Sequence, residues 1–236
     1  IDRSRGLGDV YKRQLLKVNS RSFVSLMHAN NEIGNLLDIS AVGEMCKTYG
    51  SIFHSDTVQT MAHYNFDLQE LPIHFLTGAA HKFHGPKGIG FLYINADISI
   101  KPFISGGGQE RNMRAGTENV YGIAGLSKAM EVSYRDLQEH RTHIEMLKQH
   151  MIKGLKNAIP GIEFNGESGS LEKSLYTVLN VLFPKTEIGE MLFYNLDILG
   201  IASSAGSACS SGSNLGSHVL RAVSYTHLRA HETDRY

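Results

Sequence analysis

Short apolar, β-branched runs alternate along this chain with stretches of helical periodicity, and no other feature restricts the fold so strongly. SFVSLMH (22–28) and SIFHSD (51–56) read as strands. Between them Ile39, Val42, Met45, Cys46 and Tyr49 recur at helical spacing. Asp38 or Ser40 is placed to cap that helix and Gly50 to end it. Two further strands, 73–77 and 89–94, bracket a glycine-rich loop, and 101–119 is a long polar loop. A helical pattern then runs from Val120 to about Ala158. IEF (162–164), YTVLNVLF (176–183), a helix near 187–199, GIAS (200–203) and a last helix beginning SHVLRA complete the order. Strands alternating with helices predict an α/β architecture with a largely parallel sheet. Ligands in such sheets sit at the carboxyl ends of the strands. Asn31, Asp56 and the Lys82 loop all fall just after strands.

Bulk properties exclude several classes. Lys+Arg and Asp+Glu are both 23, so no electrostatic attraction to nucleic acid or an anionic membrane is expected. No apolar stretch approaches the roughly 20 residues needed to span a bilayer, and no signal peptide is read. The 2 cysteines, Cys46 and Cys209, form no CxxC, which argues against a disulfide scaffold or structural zinc and for a reducing cytoplasm. His81 and His84 lie in a loop without HExxH, so no resident metal is expected. The ends, IDRSRGLGDVYKRQ and VSYTHLRAHETDRY, lack clean periodicity and caps and resemble translated adapter read-through. Residues 1–14 and 224–236 are therefore read as non-native tails and left out of fold reasoning.

Chemistry concentrates in a few places. HFLTGAAHKFHGPKGIGFL (74–92) sets Lys82 among small residues and glycines. A lysine that attacks a carbonyl must lose its proton, against a free pKa near ~10.4. Burial among small apolar residues beside other cations lowers that value, and such a lysine forms a Schiff base with an aldehyde such as pyridoxal phosphate. The bland reading is a solvated hairpin lysine. GPKGIG lacks the spacing of a nucleotide-binding phosphate loop. Asp56, in HSDTVQ, suits a cofactor whose ring nitrogen must stay protonated, and Gln59 is placed to reach a ring oxygen. By itself Asp56 reads first as a turn or helix N-cap and only second as a cofactor ligand. Cys209 sits in SSAGSACSSGSN, almost all small residues, where a mobile exposed thiol can act as a nucleophile. Cys46 shares the apolar face of its helix and reads as core.

Taken together, these stretches resemble a known family. IHFLTGAAHKFHGPKGIGFL is similar to the lysine signature of class V aminotransferases, pyridoxal-phosphate enzymes of fold type I. MHANNEIGN, HSDTVQ, GGGQERNMRAGTEN and SSAGSACSSGSNLGSHVL follow in the order of cysteine desulfurases of the NifS/IscS type, over roughly residues 20–222. The resemblance implies a three-layer αβα fold: a large cofactor domain over 15–139 and part of a small C-terminal α+β domain over 140–223. It implies that Lys82 carries pyridoxal 5'-phosphate, Asp56 pairs with the ring nitrogen and Gln59 contacts the ring hydroxyl. Asn31 would lie near that hydroxyl and the substrate, and His81 would help hold the phosphate. Thr117 would reach the phosphate of a partner subunit, making the unit a homodimer. Cys209 would take sulfur from L-cysteine as a persulfide, leaving alanine, and hand it to a sulfur acceptor or iron–sulfur scaffold protein. Its metal role would be at most that of a transient iron–sulfur ligand.

The departures are specific. Ala79-Ala80 stands where family members often carry a phosphate-binding serine hydroxyl, with Thr77 a candidate substitute. A further phosphate-binding turn, the ring-stacking histidine and the carboxylate-binding arginine would lie beyond this chain, which reads as an internal fragment expected to bind the cofactor poorly and not to turn over by itself. The alternatives are a selenocysteine lyase or another class V lyase, a non-catalytic chain keeping the fold, and a nucleotide-binding module.

Overall fold

The computed structural model describes residues 5–19, 21–184, 191–204 and 217–222. The chain divides into two compact units, Ile1–His28 with Leu37–Leu137, and Ala29–Leu36 with Gln138–Tyr236.

The first unit is built on a four-stranded sheet of order β1-β2-β3-β4. Its strands are β1 (Phe23–Met27), β2 (Ile52–Asp56), β3 (Phe75–Ala79) and β4 (Gly90–Ile94). β1, β2 and β3 run parallel, whereas β4 returns antiparallel to β3. This is the α/β, largely parallel arrangement that the alternation predicts. Helix α1 (Arg5–Val18) precedes the sheet, where no element is expected from the sequence. Leu16 of that helix is buried in the core, which gives the segment an apolar anchor its pattern did not advertise.

Helix α2 (Ile39–Thr48) forms as its spacing predicts. The Asp38 carboxylate accepts from the Ala41 N–H, capping the helix, and the left-handed Gly50 follows its end. Ile39, Val42, Gly43, Met45 and Cys46 are its buried residues. They join Phe53, Leu76 and Phe83 in one core, and burying each large side chain there contributes about 1.5–3 kcal/mol. Cys46 is fully buried, and burial pushes its thiol pKa up, away from reactivity. The helical pattern of 120–158 resolves into α4 (Val120–Arg135) and α5 (Leu137–Ala158), broken at Asp136. Asn119 caps α4 by accepting from the Gly122 N–H. A single four-residue turn, α3 (Gln109–Asn112), interrupts the polar loop before it.

The second unit contains α5, a two-stranded antiparallel sheet of β5 (Glu163–Phe164) and β6 (Val181–Leu182), and α6 (Leu192–Ile198). The strand expected over 176–183 is thus corrected to two residues. Tyr176 is fully buried, Val178 N–H donates to the Leu175 carbonyl in a turn, and only the end of the run pairs. Residues 200–203 hold no regular element, and 218–222 are helical. Ala29–Leu36 is grouped here rather than with the domain running over 15–139. The reason is backbone pairing: Leu36 N–H donates to the Lys173 carbonyl and Leu175 N–H to that of Gly34. Lys148 of α5 is buried over the same stretch, donating to Ser174 Oγ at 2.7 Å and the Leu175 carbonyl at 3.0 Å. Burial lowers its pKa to about 8.

A close helix–loop approach supplies a test. A Cβ on Gly43 would stand 2.5 Å from the Pro72 carbonyl oxygen and 2.7 Å from its Cγ. Alanine normally gains a helix about 1 kcal/mol over glycine. Here backbone cannot yield, so Gly43→Ala is expected to destabilise the chain by about 1–3 kcal/mol, read from urea denaturation midpoints. An unchanged or raised midpoint would contradict the packing described.

Candidate active site

The parallel register assembles the site in the first unit. Met27 pairs with Asp56 and Asp56 with Thr77, so the carboxyl ends of β1, β2 and β3 lie side by side. His28 N–H donates to the Asp56 carbonyl at 2.8 Å, and Thr57 N–H to that of Thr77 at 3.1 Å, extending the pairing past the strands. Asp56 therefore emerges at the rim. Its Oδ1 accepts from the Val58 N–H at 2.9 Å, starting the turn that presents Gln59. Thr57, fully buried, donates its hydroxyl to the Thr77 carbonyl at 2.7 Å and pins that turn. Among the described residues, the second Asp56 oxygen and the Gln59 amide have no hydrogen-bond partner, so both keep hydrogen-bonding capacity for a ligand.

β3 leads into a 3-10 turn, Ala80–Lys82. Ala80 is 0% and Phe83 1% exposed, so these two take the inward positions and turn His81 and Lys82 outward. This corrects the expectation that Lys82 is boxed in by small residues: its side chain is exposed. The tight loop itself is as expected. Gly85 N–H closes onto the Ala80 carbonyl at 2.8 Å, and a Cβ on Gly85 would stand 2.7 Å from that of Ala80. Only glycine fits there. Pro86 of the same loop packs on Gly125 of α4, which braces the turn from the helix side.

The polar loop carries Thr117, which is exposed. Arg114 donates to the Gly116 carbonyl at 3.1 Å and to Glu118 at 3.1 Å, and Gly116 N–H donates to Gln109 Oε1 at 3.2 Å. Glu110, Arg111 and Asn112 all adopt left-handed backbone, with φ of 48°, 55° and 65°. Successive non-glycine residues in that region are costly and persist where surroundings over-determine them, as at ligand clamps. Asn31, exposed in its turn, belongs to the second unit. Cys209 lies outside the described residues, as does the rest of 205–216.

Two histidines that sequence reasoning passed over brace this end of the sheet. His54 lies two residues before Asp56 on the same strand face, hydrogen-bonded to Ser25 Oγ at 2.8 Å and facing Thr77 Oγ1 at 3.4 Å. Burial lowers its pKa, opposed by the Asp56 charge. That contact occupies Thr77, the candidate substitute for the missing serine hydroxyl. His28 shares a 2.9 Å hydrogen bond with Thr60 Oγ1, below the Gln59 turn, and packs edge-on against Tyr64 and Phe66. Burial lowers its pKa to about 4, opposed by Asp38. The strand period of two would have found His54, since residues i and i+2 share a face.

These residues fit a pyridoxal cofactor by donor set. The Asp56 carboxylate, Gln59 amide, Lys82 amine and His81 imidazole match a protonated ring nitrogen, a ring hydroxyl, an aldehyde and a phosphate. The model of the Aminotransferase class-V family matches residues 9–235. "Cysteine desulfurase IscS" of Clostridium botulinum is 42% identical over 208 residues, 88% of this chain and 52% of that protein. The solved NifS-like protein of Rickettsia africae superposes with a TM-score of 0.75 at 32% identity, covering 83% of this chain and 53% of that one. Another solved NifS-like protein gives 0.76 at 36% identity, covering 90% and 55%. The chain spans about half the length of the curated relatives it matches.

His28 makes a pH signature. Its folded pKa lies below the ordinary value of about 6.5, so its share of stability is fully present above pH ~6.5. As pH falls toward about 4 the unfolded chain takes up a proton that the folded one refuses, and that share is lost. His28→Gln, which keeps a partner for Thr60, is expected to flatten the drop in urea midpoint between pH 6.5 and 5. Parallel midpoint curves for wild type and variant would show that His28 is not responsible.

Proposed function

The chain belongs to the class V aminotransferase family, and from that premise we propose that it is the central part of a pyridoxal-phosphate-dependent cysteine desulfurase. The observation that carries this reading is the convergence of Asp56, Gln59 and the Lys82 turn at the carboxyl end of one parallel sheet. The fold is the α/β type I arrangement of its solved NifS-like neighbours.

When bound, pyridoxal phosphate supplies an electron-accepting ring that stores negative charge from the substrate's Cα. Asp56 would hold the ring nitrogen protonated, Gln59 and Asn31 would orient the ring hydroxyl, His81 would help hold the phosphate, and Thr117 would reach the phosphate bound by a partner subunit. The Lys82 amine would anchor the cofactor and then move the Cα proton. The Cys209 thiolate would attack the sulfur of L-cysteine. A sulfur–sulfur bond forms and the substrate's carbon–sulfur bond breaks, with its electron pair staying on carbon. Carbon is thereby reduced and, on protonation, gives alanine, while the sulfur is oxidised to the persulfide on Cys209. That sulfur would pass to an acceptor or an iron–sulfur scaffold protein.

A reducing cytoplasm suits a free nucleophilic thiol. No helix among the described residues is long and apolar enough to cross a membrane. A homodimer is supported by the surface beside Thr117. Phe103 is 99% and Tyr121 91% exposed there, with Ile104 and Val120 also open, more apolar surface than a solitary loop requires.

Two outcomes test the reading. Reduction with borohydride after incubation with pyridoxal phosphate is expected to label Lys82 selectively, located by mass spectrometry; scattered labelling over many lysines would reject the lysine assignment. With the chain completed at both ends to the length of its relatives, Cys209→Ala is expected to abolish sulfide release while cofactor absorbance stays. Undiminished release in that variant would remove Cys209 from the mechanism.

A further inference from the structure

One ring on the Asp56 face of the sheet is held from three directions. His54 shares that face with Asp56, two residues on and roughly 7 Å along the strand. Its rung partners are Ser25 on β1 and Phe75 on β3. Nδ1 is hydrogen-bonded to the Ser25 hydroxyl at 2.8 Å, and Nε2 faces the Thr77 hydroxyl at 3.4 Å. The Phe23 ring stacks on the imidazole, with 12° between the planes and 6.3 Å between the centroids. The imidazole therefore lies across the strands, its two nitrogens directed sideways to β1 and β3 rather than along β2 to Asp56.

Electrostatics alone would favour another orientation. An imidazolium bonded to a carboxylate makes a charge-assisted contact, roughly twice as strong as one to a neutral hydroxyl. Such a pair would occupy the Asp56 carboxylate and offset its charge. A cofactor whose ring nitrogen must stay protonated needs that charge. Asp56 is the charged group that bears on the imidazole. Phe23 and Ser25 face it from β1, and Phe75 and Thr77 from β3, all four uncharged. Helix α2 packs on the other face of β2, against Phe53. Burial lowers the imidazole's proton affinity against the pull of Asp56, which agrees with the neutral partners its nitrogens have.

We propose that Ser25 is a positioning residue for cofactor binding: it holds the His54 imidazole across the strands and so keeps Asp56 available to a protonated ring nitrogen. The inference rests on the pyridoxal-phosphate reading for its role and on the Ser25–His54 hydrogen bond for its existence. Ser25 touches neither the cofactor nor Asp56 in this account. It acts through the imidazole, and its effect disappears where position 54 has no imidazole.

The test uses the chain completed at both ends to the length of its relatives, with Ser25→Ala, His54→Gln and the double variant. Ser25 is exposed, so alanine there is expected to leave the fold intact. Affinity for pyridoxal phosphate is read by absorbance titration at pH 6.5. Ser25→Ala is expected to weaken it on the order of tenfold, because the freed imidazole pairs with Asp56. In the His54→Gln background the same substitution is expected to change affinity by less than about twofold. Wild-type affinity in Ser25→Ala would overturn the proposal, and so would an equal loss in both backgrounds, which marks a merely structural effect. A second readout needs no cofactor. The His54 imidazole pKa, followed by NMR, is expected to rise by about one pH unit or more in Ser25→Ala, since an opposite charge favours the protonated ring. Equal values in wild type and Ser25→Ala would sink the restraint. If the wild type gives no absorbance change with pyridoxal phosphate, that reading fails separately and the imidazole titration still decides on Ser25. The titration also decides alone if His54→Gln does not fold.

Discussion

Everything at the candidate site depends on the parallel register of three short strands. Met27, Asp56 and Thr77 share one rung, and the backbone hydrogen bonds from His28 to Asp56 and from Thr57 to Thr77 carry the pairing one residue further. A slip by one residue would turn every side chain to the opposite face. Asp56 would point into the core, where Ser55 now sits, and His54 would lose Ser25. The core enforces the register: Phe53 and Leu76 are fully buried on the face opposite Asp56 and cannot be exposed at small cost. Packing on one side of the sheet thus sets chemistry on the other.

Function in this chain is divided between turns of unlike character. The Asp56–Gln59 turn is pinned by buried threonines and a half-buried histidine, as a holder of a rigid ring should be. The Lys82 turn is tight in its backbone yet leaves its amine outside the core, free to swing between anchoring a cofactor and moving a proton. The Asn31 turn faces two ways, offering an amide to solvent and sinking the Glu32 carboxylate. Rigid backbone with side chains left partnerless is the arrangement expected of a site that pre-organises its ligand.

Much of this was legible in the sequence. The helical spacing of Ile39, Val42, Met45 and Cys46 predicts the buried face of α2, and Asp38 and Gly50 mark its ends. The alternation of runs predicts the parallel sheet and places Asp56 at a strand end. Other features escaped for physical reasons. Lys82 looked enclosed because small neighbours suggest close walls, but sequence does not say which positions of a turn point inward; Ala80 and Phe83 took those places. YTVLNVLF looked like a strand, yet Val178 N–H turns back onto the Leu175 carbonyl and only Val181–Leu182 pairs. The roles of Asn31, Thr117 and Cys209 came from family likeness, not from pattern.

The antiparallel return of β4 onto β3 has a consequence for how the chain acquires its shape. That pair is joined by the short loop bearing Lys82, whereas β1–β2 and β2–β3 are each joined through longer crossings. Closing a short loop costs less chain entropy than closing a long one, and local pairings form faster. The lysine hairpin is therefore the least costly pairing of the sheet to close, and the two crossings that flank the aspartate strand carry most of the sheet's closure entropy.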